Sequence, residues 1–509
     1  VFANNNLNLM KELRELVLVM ENNGCGATSM FNGNASTTSK LSIFYKGISQ
    51  NSWTSDDNAA KALYPGEPSH SSYRKLKSDL KERLVDTILT LKFNSNKYNS
   101  YQKAYYRSHR EWAAAKILLG QNANDAAADL ATKLFRQARQ FDFSGLAMDI
   151  CSVLRLYYGA RMGDMARFEE FNKLFGEYQE IYQFENRAEE FYIILSSGFV
   201  NNKSTKEDIR DKAKLFHDQL QPALEKYNSH RLHFYGALIE LACHTSVNNY
   251  LEALKVCKRY IQFFLQKDYE AHVPLQILYY QELLCHVQLK NFKEGREAAE
   301  NCCKLLAEGS YNWFKYQESI FLLAMHTDEY QAAYDIYTSV IKNKRFNLLP
   351  DNVKEIWKIF AAYLAYLIRL EKIQASYNDS LKQFKLSRFQ NETPVFSKDK
   401  KGMNIAILVA QLLMLLSEGK KSSFIDKVES LEQYTYKYLR NDHTLRSHYF
   451  IKILLQIPLS GFDRTTFVAK TRSYLEKMSA VPTEAANQTN EIEIIPFEEL
   501  YQLLERQLG

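Results

Sequence analysis

Asn249-Tyr250-Leu251-Glu252-Ala253, Asn291-Phe292-Lys293-Glu294-Gly295 and Glu329-Tyr330-Gln331-Ala332-Ala333 are three versions of one phrase: a polar residue, an aromatic, two variable positions, then Ala or Gly. The aromatics Tyr250, Phe292 and Tyr330 recur after 42 and then 38 residues. Each phrase follows one amphipathic helical pattern and opens another, which is how an array of helical hairpins reads. The positions have physical jobs. The aromatic fills the space between paired helices, and the small residue admits the second helix where a larger side chain would push it away. Tyr250, Ala253, Phe292, Gly295, Tyr330 and Ala333 are therefore the expected packing residues of the repeat. Around the first phrase, Leu238 and Ala242 line one helix face, and Tyr250, Ala253, Leu254 and Cys257 line the next, at the i, i+3, i+4, i+7 spacing of a buried stripe.

Only 9 Pro and 18 Gly occur in 509 residues, and strand-type alternation between turn signals is nearly absent, so the expected fold class is all-α. The balance of 65 basic and 59 acidic residues, a net +6, lacks the strong bias of a dedicated nucleic-acid binder, so any such contact must come from a local patch. The seven cysteines are odd in number and follow no disulfide spacing, which points to reduced, packed thiols and a cytoplasmic setting. Val1–Met20 carries Lys11, Glu12, Arg14 and Glu15 and lacks a signal-peptide core. Met403–Leu416, the most apolar stretch, spans 14 residues with Asn404 and Gln411 inside it, against about 20 for a membrane span. It reads as a buried helix, and no membrane partner is expected.

Five segments follow from the pattern. Residues 1–54 hold a helix at Leu7–Met20, a polar loop at Glu21–Lys40 and an ambiguous stretch at Leu41–Trp53. Residues 55–97 hold a basic hairpin, and 98–372 a series of helix pairs. In that series Met165–Tyr182 and Asn186–Gly198 read as separate helices. Residues 373–402 read as a linker or long loop, and 403–509 as a C-terminal helical cap with a polar loop at Ser479–Asn490 and a last helix at Phe497–Leu508. Terminal units of a repeat array must cover an apolar end, which gives the last segment its role.

Over 230–345 the chain resembles the tetratricopeptide family, whose turn also reads polar, aromatic, two residues, Ala; Ala333 and Tyr337 match its small-x3-aromatic step. The period is longer than the family's 34 residues, the closing proline is missing, and Cys257 and Ala299 replace the aromatic in the other two repeats. The resemblance implies a tetratricopeptide-like α-solenoid of antiparallel helix pairs. It also implies a non-enzymatic scaffold or adaptor that binds a protein or peptide partner on the solenoid surface.

Residues 55–91 give a second reading. A short helix ending in Leu63-Tyr64-Pro65 is followed by a basic helix with Leu76, Leu80 and Leu84. This outline resembles the helix-turn-helix part of winged-helix domains in bacterial regulators that join DNA binding to a tetratricopeptide-like domain. A helical wheel puts Tyr73, Leu76, Leu80 and Leu84 on one face and Arg74, Lys77 and Lys81 on another. The resemblance implies DNA contact by Tyr73, Arg74, Lys77 and Lys81. The pattern departs from that family where a β-hairpin wing should follow: the helix runs on through Val85–Leu91. The alternative is an ordinary solvated basic face.

Chemistry-bearing motifs are missing. There is no His-Glu-x-x-His, nucleophile elbow or Gly-x-Gly-x-x-Gly, and Gly33–Lys40 lacks the second glycine of a P-loop. Cys243-His244 and Cys285-His286 recur 42 residues apart, but adjacent helix residues diverge by about 100°, which does not converge four ligands on zinc. No cofactor and no metal is expected. Tyr101, Tyr105, Tyr106, Tyr157 and Tyr158 read as inter-helix packing, with a ligand groove as the alternative.

Overall fold

A computed structural model describes residues 5–26, 39–53, 55–64, 71–91, 93, 98–200, 206–376, 379–393, 403–438, 445–481 and 493–508. The chain is all-α: among the described residues every regular element is helical, and helices pack in adjacent pairs. No helix among them is long and apolar enough to cross a membrane. The chain forms two compact units, Val1–Glu180 with Asp268–Glu270, and Ile181–Lys267 with Ala271–Gly509.

The first unit opens with α1 (Asn5–Asn22), α2 (Lys40–Ser49), α3 (Asp56–Leu63) and α4 (Ser71–Thr90). Leu41–Trp53, ambiguous in sequence, is helical as far as Ser49 because Ser39 caps its start, accepting from the Ser42 amide, and because Phe44, Tyr45 and Ile48 share a buried face. Gly47 is required there: a Cβ would stand 2.1 Å from the Trp53 ring that covers it. Ser55 caps α3 in the same way, and Asp56 and Asp57 occupy its first turn. Met10, Leu13, Val17, Phe44, Tyr45, Tyr73, Leu80 and Leu84 form one core. Within 21–40, residues 27–38 lie outside the described residues, as does the Pro65–Pro68 turn.

Next come α5 (Ser100–Gly120), started by an Asn99/Gln102 capping box, α6 (Asn124–Gln140) and α7 (Ser144–Leu156). A π-helical turn, Tyr157–Met162, closes on Gly163 at φ +65° and leads into α8 (Met165–Val200). The sequence reading split α8 in two. It is one helix of 36 residues, since Gln183-Phe184-Glu185 contains no breaker. Its first part, to Glu180, belongs to the first unit and the rest to the second.

In the second unit helix pairs succeed one another: α9 (Lys206–Lys226), α10 (His230–Thr245), α11 (Tyr250–Leu265), α12 (His272–Gln288), α13 (Phe292–Cys303), α14 (Tyr311–His326) and α15 (Tyr330–Lys342). Then α16 (Asp351–Arg369) packs on α18 (Met403–Ser417), whose residues 404–415 are buried throughout. Between them α17 (Leu386–Glu392) gives the segment read as loop a short helix, anchored by Leu386 and Phe389. Residues 377–378 and 394–402 lie outside the described residues. The chain continues with α19 (Lys421–Tyr438), α20 (Leu445–Leu459), α21 (Arg464–Ser479) and α22 (Phe497–Gln507); 482–492, the expected polar loop, lie outside the described residues.

One turn recurs in both units. Asn122, Asp142, Asn248, Lys290 and Asp328 each adopt φ between 51° and 61° immediately after a helix. The next amide then bonds back five residues: Ala123 to Leu118 O, Phe143 to Ala138 O, Asn249 to His244 O, Asn291 to His286 O and Glu329 to Ala324 O, at 2.8–3.0 Å. This is the Schellman closure, which satisfies carbonyls that a helix end leaves unpaired. The following helix starts one residue later. Its fourth residue, Ala127, Ala147, Ala253, Gly295 or Ala333, is buried and small and donates its amide to the cap carbonyl at 2.9–3.2 Å.

Candidate functional site

On the α3–α4 hairpin, Tyr73, Leu76, Leu80 and Leu84 are buried. Lys77 is buried with them, 4% exposed, and its ammonium donates to both carboxylate oxygens of Asp56 at 2.8 and 2.9 Å. The Tyr73 hydroxyl donates to the same carboxylate at 2.7 Å. Burial and then this bond push its pKa up, so the phenol stays protonated. Lys81 pairs with Glu12 at 2.7 Å on a half-exposed surface, while Arg74 is exposed. The face drawn through Arg74, Lys77 and Lys81 is thus not an open basic face, and Tyr73 is not available to a base edge. The reason is geometric. Residue 77 lies four positions after Tyr73, about 40° away, which puts it at the edge of the apolar stripe. Asp56, in the first turn of α3, draws it inward.

The repeat phrases sit at equivalent places. Ala253, Gly295 and Ala333 are buried; a Cβ on Gly295 would stand 2.6 Å from Leu323 Cδ2 and 2.9 Å from His286 Cβ. Tyr330 is buried, and Tyr250 and Phe292 are half-buried. A link invisible in the phrase itself ties aromatic to turn. Tyr250 donates to Asn248 Oδ1 at 3.0 Å and Tyr330 to Asp328 Oδ1 at 2.6 Å, so each hydroxyl holds the left-handed residue two positions before it. Where the aromatic is Phe292 and has no hydroxyl, the turn residue is Lys290.

The first helices of the pairs carry half-buried aromatics. Tyr192 on α8 meets Tyr235 on α10 with centroids 5.5 Å apart, and Tyr280 on α12 meets the buried Tyr316 on α14 at 4.9 Å. Phe234 and Tyr279 are half-buried beside them. The second helices differ: Leu251, Lys255, Lys258, Arg259 and Gln262 of α11 form an exposed outer side. Of the tyrosines singled out in sequence, Tyr158 is buried, Tyr101, Tyr106 and Tyr157 are half-buried, and Tyr105 is 44% exposed with its ring on His109. Tyr101 packs against Phe143 and Tyr106 against Phe93.

A polar seam fastens α22 within the second unit. Arg446, 4% exposed, spends all five N–H groups: on Glu493, twice, on Glu498, and on the carbonyls of Met478 and Val481, at 2.6–3.1 Å. His326 Nε2 lies 2.7 Å from the Glu493 carbonyl. Burial lowers this imidazole to about 4, so it is neutral with its proton on Nε2. Glu499 reaches the repeat turns, 3.5 Å from Lys290 Nζ and 3.4 Å from the Tyr330 hydroxyl. Burial and the neighbouring Asp328 push Glu499 up to about 8. For Asp328, burial pushes up, but hydrogen bonding with Glu499 and Tyr330 outweighs it and holds the carboxyl low. The sequence carried no signal for this seam, because its members converge from segments far apart in the chain.

All seven cysteines are free thiols, and burial raises Cys243 and Cys302 to about 12. Among the described residues no three His, Cys, Asp or Glu side chains gather where they could hold a metal. His286 is buried with both ring nitrogens lacking a hydrogen-bond partner among them.

No protein-family model matches the chain, and no curated protein matches it. A solved structure named "Structure of SeMet-phAimR" is similar at a TM-score of 0.37 and 12% identity, over 97% of this chain and 100% of that one. A likeness of that size carries no argument about fold or function.

Proposed function

We propose that this chain is a non-enzymatic, tetratricopeptide-like scaffold that binds a protein or peptide partner on the first helices of its pairs, with 98–372 as the solenoid and 403–509 as its cap. The half-buried aromatics on successive first helices, Tyr192, Phe234, Tyr235, Tyr279 and Tyr280, support this reading. Helices fully committed to a core would bury these rings, and helices facing only water would not carry them. Rigid aromatics of this kind give large contact area at little entropic cost. The test is a photo-crosslinker placed at Tyr235 or Tyr279, with one at exposed Arg472 of α21 as control, in the native cell. A defined protein or peptide adduct at the first two positions and not at the third is expected. Adducts no stronger than at Arg472 would sink the reading.

A second reading, nucleic-acid contact by the α3–α4 hairpin, is favoured by Arg74 and Lys75, which stand exposed on α4 without an ion pair among the described residues. Each phosphate neutralised on duplex DNA contributes about −0.9 to the slope of log affinity against log salt. Arg74→Ala/Lys75→Ala should therefore flatten that slope by about 2. Equal slopes for parent and variant remove the hairpin as a reader.

A further inference from the structure

Lys103, Arg107 and Arg110 stand at i, i+4 and i+7 on one face of α5, and all three line a cavity of about 360 Å3. Gln137 of α6, Phe93 and Phe141 line the same space. The cations are poorly neutralised. Arg107 meets Glu111 at 2.7 Å. Arg110 reaches only the Leu91 carbonyl, at 3.4 Å, and Lys103 has no acidic partner among the described residues. Glu270 faces the start of the helix, accepting from the Ser100 amide at 2.9 Å. Like charges three and four residues apart on a helix repel, and an anion held between Lys103, Arg107 and Arg110 would relieve that repulsion.

We propose that this cavity binds a mononucleotide-sized ligand, a phosphate monoester carrying a planar ring. Three cations, less the Glu111 carboxylate on Arg107 and the Glu270 carboxylate at Ser100, leave a net positive charge that an anionic phosphate monoester complements. Guanidinium groups suit phosphate oxygens, which they can contact bidentately. Phe93, packed on Tyr106, and Phe141, packed on Phe143 and Tyr269, add the apolar surface that a planar ring would rest against. The volume is at the small end of ligand pockets, enough for one nucleotide and too little for an extended chain. An acidic peptide would satisfy the charges but leave the ring walls without a planar partner.

The test is calorimetric titration of the full chain with AMP, GMP, CMP and UMP, with adenosine, and with a short polyglutamate peptide. At least one mononucleotide should bind, more weakly as salt rises, and adenosine should not. Lys103→Gln/Arg107→Gln should weaken that binding about a hundredfold, about tenfold for each charge-assisted contact. Arg472→Gln, on another helix, should leave it unchanged. If the double variant loses helicity, Lys103→Gln alone, at a half-buried lysine with no ion-pair partner among the described residues, should still show the tenfold step. The proposal is overturned by unchanged affinity in the variants, by adenosine binding as tightly as AMP, by displacement of the nucleotide with polyglutamate at equal concentration, or by no binding of any mononucleotide at millimolar concentration.

Discussion

At the residue scale, what decides a side chain's role is which neighbours enclose it. Lys77 differs from Arg74 by three positions and by everything around it. Lys77→Ala leaves the Asp56 carboxylate and the Tyr73 hydroxyl without their cation in a largely buried place, and should cost about 2–4 kcal/mol. Arg74→Ala, at an exposed position, should stay within about 0.5 kcal/mol. Urea denaturation of the two variants checks this, and equal midpoints would refute the buried pair. Gly295 is the mirror case. A Cβ already meets Leu323 and His286 inside normal contact, so Gly295→Leu should destabilise by about 1–3 kcal/mol or more. A thermal melt indistinguishable from the parent would show that α13 does not approach α12 and α14 as described.

At the scale of elements, the turn is the repeated unit. Sequence reading found the aromatic and the small residue, because burial leaves a hydrophobic trace. It missed the left-handed residue two positions earlier, because Asn, Asp and Lys there look like ordinary loop polarity. Side chains other than Gly and Asn pay for this conformation. Glu371 adopts φ +57° at an exposed turn after α16, where the Lys372 amide bonds back to Leu367 O at 2.9 Å. Glu371→Gly should therefore raise stability by about 0.5–1 kcal/mol, read as a higher denaturation midpoint. A lower midpoint would mean that the carboxylate contributes something the turn geometry does not account for. The continuous α8 teaches the same lesson in reverse: one Asn after a polar stretch is a weak stop, and tertiary contacts such as Ser229 donating to buried Glu185 hold the helix through it.

At the scale of the whole molecule, the last helix makes stability respond to pH. Glu499 is held at about 8 against an ordinary value of 4.5. Its proton is kept in the folded state, so its contribution is complete below about pH 4.5 and is lost as pH rises through about 8. Glu499→Gln should flatten the fall in denaturation midpoint between about pH 5 and pH 9. An unchanged pH profile in this variant would show that Glu499 is not the titrating group. Arg446→Ala should cost about 3–5 kcal/mol at neutral pH, since it takes the cation away from buried Glu493 and half-buried Glu498, and loss of far-ultraviolet helicity on mild warming would report it.

Proline and glycine scarcity, the 3.6-residue apolar period and the aromatic-x-x-small phrase were enough to determine an all-α chain of paired helices, because helix formation and burial of a helix face are local properties. The buried helix at Met403–Ser417 and the packing positions Ala253, Gly295 and Ala333 were legible for the same reason. What only the tertiary structure decided was the fate of polar side chains: Lys77 turned inward to Asp56, Arg446 sealed by Glu493 and Glu498, Glu499 pressed against Asp328, and Lys103, Arg107 and Arg110 gathered around one cavity. A charge is stabilised by whichever opposite charge or dipole reaches it within a few ångströms, and that partner usually lies far away along the chain.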